Sequence, residues 1–407
     1  MSEVTENGIT VVANNYWTPN DRDGERFECA EGAWMYTEDG EAYLDMLAGY
    51  SANNFGHGNP IIREALIDQE MTGLTLAPRA FATKQLYRFG VEIGELTGYE
   101  MVLPMNGGAE AVETAIKTSR KWGQEVKGVP VNQGNIIVMN ENFHGRTTTI
   151  VSFSDDEQAR NGFGPFTPGF RKAEFGNVDD IEDVMDENTV AVLFEPIQGE
   201  AGVRVPPPGF LRKLRELCTR EKVLMVADEI QSGFGRTGKN FACDHEDVKP
   251  DMMIVAKALG GGRTPTSAVL SSKDILGVLE PGDHGSTYGG NPLACAVARA
   301  AISILKSGQF QPNVTERGEQ LRERLDELVG NGLTEVRGKG LWYGFDIDPR
   351  YITGKKMTAQ LWGRHVLSKE ADLYTMRFSP TFAINEEEID YAANQVRDIL
   401  YVAGKRR

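Results

Sequence analysis

The chain has 407 residues, 40% of them hydrophobic and 25% charged, with a formal net charge of −16 at pH 7. That length allows two or three domains around a large core, and the composition is ordinary for a soluble globular protein. The acidic balance speaks against nonspecific nucleic-acid binding while leaving room for a local basic site, and no run of about 18 apolar residues marks a membrane span.

The four cysteines, Cys29, Cys218, Cys243 and Cys295, are scattered without a C-x-x-C pair. Neither a zinc site nor a disulfide framework is therefore expected. The opening MSEVTENGIT lacks the basic and apolar regions of a signal peptide. A cytoplasmic enzyme is the expectation.

Residues from about 10 to 50 read as a lead-in with short strands. Ala33–Thr37 and Ala42–Met46 flank Glu38-Asp39-Gly40-Glu41, an expected hairpin turn. A polar, aromatic loop, Gly49 to His57, comes next, and the pattern then predicts a helix from about Pro60 to Glu70. Tyr16 and Tyr50 in this lead-in suit either a binding site or ordinary packing with the hydroxyl at the surface. Gly107-Gly108-Ala109 precedes a helical pattern running to about Trp122. Backbone N–H groups at such a helix start favour an anion, so a phosphate on Gly108 and Ala109 is one reading and a glycine-assisted cap the other. The segment is not a G-x-x-x-x-G-K-[ST] loop, which argues against an ATP-type site.

Asn135–Met139 and Thr189–Phe194 read as buried strands. The first leads to Phe143-His144-Gly145-Arg146, where an aromatic could stack on a flat ring and an arginine could grip a carboxylate. The second leads to Glu195-Pro196-Ile197-Gln198-Gly199-Glu200, two carboxylates that need partners if they are buried. A helix is predicted over Phe210–Glu221. Strands alternating with helices from about 100 to 290 predict a mostly parallel, helix-covered sheet. A long helix starting near Pro292 leads to an α+β region from about 312 to 407, where Arg377 sits inside an apolar stretch.

The centre of the chain runs from Val223 to Lys257. One apolar run, Val223–Ala227, ends in Asp228-Glu229-Ile230-Gln231; a second, Met252–Ala256, delivers Lys257, with glycines beside both. In an α/β sheet, ligands sit outside the carboxyl ends of the strands. A lysine there is partly desolvated and can act as a nucleophile toward carbonyls. Pyridoxal phosphate needs such a lysine, and often an Asp against its pyridine nitrogen. A plain strand-terminal ion pair fits the same spacing.

Taken together, Glu195–Glu200, Ala227-Asp228-Glu229-Ile230-Gln231, Gly235-Arg236-Thr237-Gly238 and Lys257 resemble the class III pyridoxal-phosphate aminotransferases along nearly the whole chain. Within that class the chain most resembles ornithine aminotransferases, through Gly49-Tyr50-Ser51-Ala52, Val102–Asn106, Gly162–Phe166 and Arg215–Cys218. The resemblance implies fold type I: a large α/β domain with a mostly parallel sheet, at 51–291, and a smaller α+β domain built from 1–50 and 292–407. It implies that Lys257 carries pyridoxal 5'-phosphate and shuttles the proton. Asp228 would pair with the pyridinium nitrogen, Gln231 with the ring hydroxyl, and Phe143 would stack on the ring. Gly108 and Ala109 would hold the phosphate with Thr287 of a neighbouring subunit, in a homodimer or larger homo-oligomer.

Arg377 would bind the α-carboxylate of glutamate, Glu200 would neutralise Arg377 when ornithine is bound, and Arg146 would hold the far carboxylate. Tyr16 and Tyr50 would shape the ornithine end. The substrates implied are an amino acid and a 2-oxo acid, with neither nucleic acid nor membrane as partner. Two features depart from the ornithine pattern: Arg263 and Thr264 stand where apolar and aromatic residues are usual, and His144 follows a pattern common in acetylornithine aminotransferases. Acetylornithine or 4-aminobutyrate is the rival substrate, and a noncatalytic binding protein the rival of another kind.

Overall fold

Four apolar runs, at Asn135–Met139, Thr189–Phe194, Leu224–Asp228 and Met252–Val255, lie side by side with every residue buried. In this computed structural model, which describes residues 26–405 and the backbones of the short strands Glu3–Glu6 and Ile9–Val12, they form the middle of a seven-stranded sheet. The full order is Met101–Met105, Ser267–Ser271, Met252–Val255, Leu224–Asp228, Thr189–Phe194, Asn135–Met139 and Phe170–Ala173. All pairings are parallel except those of Ser267–Ser271, which runs antiparallel to both neighbours. Serines at both ends of that strand disguise it in the sequence, although all five of its residues are buried.

Alternating side chains separate two cores, as a period of two requires. Ile136, Val138, Leu193, Val226 and Ile254 pack under Ala111, Val112, Ala115 and Ile116 of the helix Gly108–Trp122. Ile137, Met139, Val192, Phe194, Met225 and Ala227 pack on the opposite face, against Leu211, Leu214 and Leu217 of the helix Phe210–Glu221. With both faces covered, the strands are continuously apolar rather than alternating. Beyond Trp122 the helix runs into a π-helical turn, Gly123–Lys127. The backbone there approaches Val190 so closely that a Cβ on Gly123 would lie 2.2 Å from its Cγ1.

The expected turn at 38–41 joins Trp34–Thr37 to Ala42–Asp45, with Gly40 at φ 84 as such a turn demands. These strands belong to a four-stranded sheet whose other edge, Val366–Leu367, comes from the far end of the chain. A second four-stranded sheet places Arg377 in the strand Thr375–Phe378, between Tyr343–Ile347 and Lys369–Glu370. The helix Pro292–Ser307 starts on Asn291, whose Oδ1 accepts from Ala294 N at 2.8 Å. That helix packs against Lys84–Thr97 and Pro60–Met71. Arg236 of the Gly235–Gly238 motif is fully buried and donates to the carbonyls of Leu341 (3.0 Å) and Pro380 (2.7 Å) and to Asn54 Oδ1. It acts as a structural tie. Among the described residues no helix is long and apolar enough to cross a membrane.

Candidate active site

The parallel strands all deliver their carboxyl ends to one edge of the large sheet, the usual place for a ligand in such a sheet. A cavity of about 530 Å³ opens there, lined by Gly108, Ala109, Phe143, Asp228, Gln231 and Lys257. Gly108 begins its helix, so its N–H and that of Ala109 have no intrahelical acceptor. The Glu110 carboxylate takes the N–H groups of Asn106 (3.0 Å) and Gly107 (2.7 Å), which fixes the loop before them. The backbone is close-packed as well: a Cβ on Gly108 would meet Ile230 Cδ1 at 3.0 Å.

Asp228 closes its strand with 5% exposure. One oxygen accepts from Ile230 N at 3.1 Å and the other from His144 Nδ1 at 2.6 Å. Burial alone would lower the His144 imidazolium, but the hydrogen bond to Asp228 and the charges of Asp228 and Glu195 outweigh it and raise it. Burial, with Asp228 and Glu200 nearby, pushes Glu195 up to about 7 against the opposing pull of His144. Glu195 accepts from Phe143 N at 3.0 Å, which holds the Phe143 loop against the sheet. The neighbour of Asp228, Glu229, is turned to structural work: it accepts from Ser232 Oγ, Ala242 N and Cys243 N at 2.5, 3.0 and 2.8 Å.

Burial lowers the Lys257 ammonium to about 8, with Arg377 adding to the drop and Glu200, Asp228 and Glu195 opposing it. Far more of this amine is therefore neutral near physiological pH than of an ordinary lysine, and the neutral form is the one a nucleophile or base needs. Arg377 is 2% exposed and donates through Nη1 to Glu200 Oε1 at 2.6 Å. Burial works to raise the Glu200 carboxyl, and Arg377 more than offsets it, so the pair is ionised. Arg377 Nε is buried with no acceptor among the described residues, a donor left over for a carboxylate. The Tyr50 ring lies 4.8 Å from the same guanidinium. The backbone before Glu200 packs closely on Gln231, since a Cβ on Gly199 would lie 2.3 Å from Gln231 Oε1.

The model of the family Aminotransferase class-III matches residues 23–400. The chain belongs to the class-III aminotransferases. It is 48% identical over 373 residues to the ornithine aminotransferase of Brevibacillus brevis, covering 92% of each chain. Its structure is similar to that of the ornithine aminotransferase from Toxoplasma gondii ME49, with a TM-score of 0.93 and 39% identity over 97% of this chain and 94% of that one. It is also similar to the acetylornithine aminotransferase from Elizabethkingia anophelis, with a TM-score of 0.85 and 38% identity over 96% of each chain. Members of this class use pyridoxal phosphate.

The residues of this class-III chain fit that cofactor. Gln231 Nε2 is buried with no acceptor among the described residues, on the cavity wall where a ring oxygen would need a donor. The geometry brings Gly108, Ala109, Phe143, Asp228, Gln231 and Lys257 around one space, with Glu200 and Arg377 beside it. Arg146 stands nearer solvent, 5.5 Å over the Phe143 ring and 3.8 Å from Asp156, yet close enough to help hold the Glu200 carboxyl down. Thr287 is exposed and borders a separate cleft with Arg79 and Ser286. Tyr16 lies outside the described residues. Arg263 and Thr264, the departures from the ornithine pattern, both line the cavity. His144 gives no sequence sign of its role, because Asp228 is 84 positions away; only a histidine beside a candidate stacking aromatic hints at it.

Proposed function

We propose that this class-III enzyme moves the δ-amino group of L-ornithine to 2-oxoglutarate. The products are L-glutamate and glutamate-5-semialdehyde, which closes to pyrroline-5-carboxylate. The 48% identity to an ornithine aminotransferase supports the substrate, and the Glu200–Arg377 pair carries the argument. Glutamate presents an α-amine flanked by a carboxylate, whereas ornithine presents a δ-amine flanked by methylene groups. One pocket must therefore offer a cation to the first and hide it from the second. Glu200 hides Arg377 while ornithine is bound and releases it to the α-carboxylate of glutamate.

When bound, pyridoxal phosphate supplies an aldehyde that takes the amino group and a protonated ring that draws electrons from the reacting carbon. Lys257 would hold the cofactor covalently, and its amine would carry the proton to and from the reacting carbon. Asp228 keeps the ring nitrogen protonated, with His144 holding its outer oxygen. Gln231 donates to the ring oxygen, and Phe143 stacks on the ring. Gly108 and Ala109 hold the phosphate, with Thr287 of a second copy. Arg146 takes the far carboxylate, and Tyr50, with Tyr16, shapes the ornithine end. In this reading the enzyme is a cytoplasmic homodimer or larger homo-oligomer, its smaller domain built from 1–50 and 292–407. The exposed apolar side chains Met71, Phe81 and Tyr87 suit contact with a second copy.

Glu200→Ala tests the switch. Breaking a fully buried ion pair costs about 3–5 kcal/mol, an upper bound here because the Glu200 side chain is 29% exposed. The freed Arg377 should attract the carboxylate end of ornithine, so transfer from the α-amine should rise relative to the δ-amine. An unchanged ratio of δ to α transfer in Glu200→Ala, with the protein folded, would remove the switch from the reading.

A further inference from the structure

Tyr50 reaches Arg377 from an improbable piece of backbone. Ala48, Gly49, Tyr50 and Ser51 have φ of 47, 57, 58 and 68°, one continuous left-handed turn in which three residues carry a Cβ. Each such residue is sterically penalised, and the conformation persists only where the surroundings impose it. The surroundings here are specific. Asp45 Oδ1 accepts from both Leu47 N and Ala48 N at 2.9 Å, capping the entry to the turn. Asp45 Oδ2 accepts from His57 Nε2 at 2.9 Å. The other ring nitrogen, Nδ1, accepts from Asn53 Nδ2 at 2.7 Å, which fixes the proton on Nε2. The His57 backbone is pinned in turn by paired hydrogen bonds with Gly32, at 2.9 and 3.0 Å.

Both ends of this chain of side chains meet the active site. At one end, Ser379, two residues beyond Arg377, donates through Oγ to Leu47 O at 2.9 Å and through its N–H to Met46 O at 2.8 Å. At the other, Asn53 packs on the loop after Lys257, where a Cβ on Gly262 would lie 2.2 Å from Asn53 Oδ1. Asp45 itself is 3% exposed. None of Asp45, His57 and Asn53 lines the cavity that holds Lys257.

We propose that the Asp45–His57–Asn53 chain is a positioning device that imposes the left-handed turn Ala48–Ser51 and so sets Tyr50 against Arg377, fixing how the amino donor enters. The inference rests on the amino-donor role given to Tyr50 above. His57 acts through Tyr50, not on the substrate, so its effect must vanish once the Tyr50 ring is gone.

The test is a kinetic cycle on the cofactor-loaded enzyme: wild type, His57→Leu, Tyr50→Ala and the double variant, with L-ornithine and 2-oxoglutarate. Losing one hydrogen bond to a charged group should lower kcat/KM for ornithine by about 10- to 100-fold in His57→Leu, mostly through KM. His57→Gln, whose amide can still donate to Asp45, should recover most of it. In the Tyr50→Ala background, His57→Leu should change kcat/KM by no more than about twofold. Equal losses in both backgrounds, or no recovery with glutamine, would overturn the proposal. Thermal unfolding identifies a variant that fails to fold, and Asn53→Ala then replaces His57→Leu in the same cycle. A wild type inactive with ornithine but active with another amine would sink the substrate reading alone, and the cycle would be run with that amine.

Discussion

Lys257→Ala is expected to abolish turnover while leaving the fold and the cofactor pocket in place. Lysine at this position does two jobs, covalent attachment and proton transfer, and positioned acid–base catalysis alone contributes on the order of 10²–10⁴-fold. The amine is buried at the end of a fully buried strand, and alanine removes a burdened charge rather than a packing anchor. The variant should therefore unfold at a temperature near that of wild type and still bind pyridoxal phosphate, without a covalent link that borohydride can fix. In wild type, borohydride reduction followed by peptide mass measurement should place the added cofactor mass on Lys257. The pH dependence of attachment gives a separate check. The neutral amine attacks the aldehyde, and burial brings the ammonium to about 8, so the rate should rise with pH and level off just above that value. A rate still climbing steeply toward the ordinary lysine range would show that the amine is not desolvated as described.

Asp228→Asn should be the second largest loss, on the order of 10²–10³-fold in kcat, as for removal of one preorganised electrostatic contact in a dry site. The amide keeps the volume and the acceptor oxygen for His144, but not the charge that keeps a pyridine nitrogen protonated. A second readout follows from the same pair. In wild type the charges of Asp228 and Glu195, with the 2.6 Å hydrogen bond, hold the His144 imidazolium above its ordinary value against burial. With the Asp228 charge gone, burial dominates, and the imidazolium should titrate at lower pH than in wild type. Histidine NMR across a pH series measures this directly. A kcat within about twofold of wild type, or an unmoved His144 titration, would contradict the assigned roles.

The parts of the site that lie at strand ends were legible in the sequence. Two apolar runs leading to Asp228 and Lys257 read as buried strands, and parallel strands deliver their ends to one edge. Asn135–Met139 and Thr189–Phe194 were legible for the same reason, and their elements have those bounds. What could not be read was set by contacts distant in sequence. The antiparallel insertion of Ser267–Ser271 depends on two neighbouring strands and carries no signal in its own short run. The His144–Asp228 contact and the His57–Asp45 contact join side chains that local spacing does not relate. The left-handed turn at Ala48–Ser51 is hidden further, because only one of its four residues is glycine. Arg377 shows the middle case: an arginine in an apolar stretch announces a buried partner, but the sheet pairing decides that Glu200 is within reach.

The central claim is that the pocket admits the δ-amine of ornithine while Glu200 covers Arg377. The measurement that meets it most directly is the identity of the ketone or aldehyde formed from ornithine, followed by proton NMR with 2-oxoglutarate as acceptor. Parallel samples hold N-acetylornithine and 4-aminobutyrate. Transfer from the δ-amine gives pyrroline-5-carboxylate after ring closure, and transfer from the α-amine gives the isomeric pyrroline-2-carboxylate. The expected result is the first product, formed from ornithine faster than glutamate forms from either rival amine. Pyrroline-2-carboxylate as the main product, or faster transfer from N-acetylornithine or 4-aminobutyrate, would contradict it.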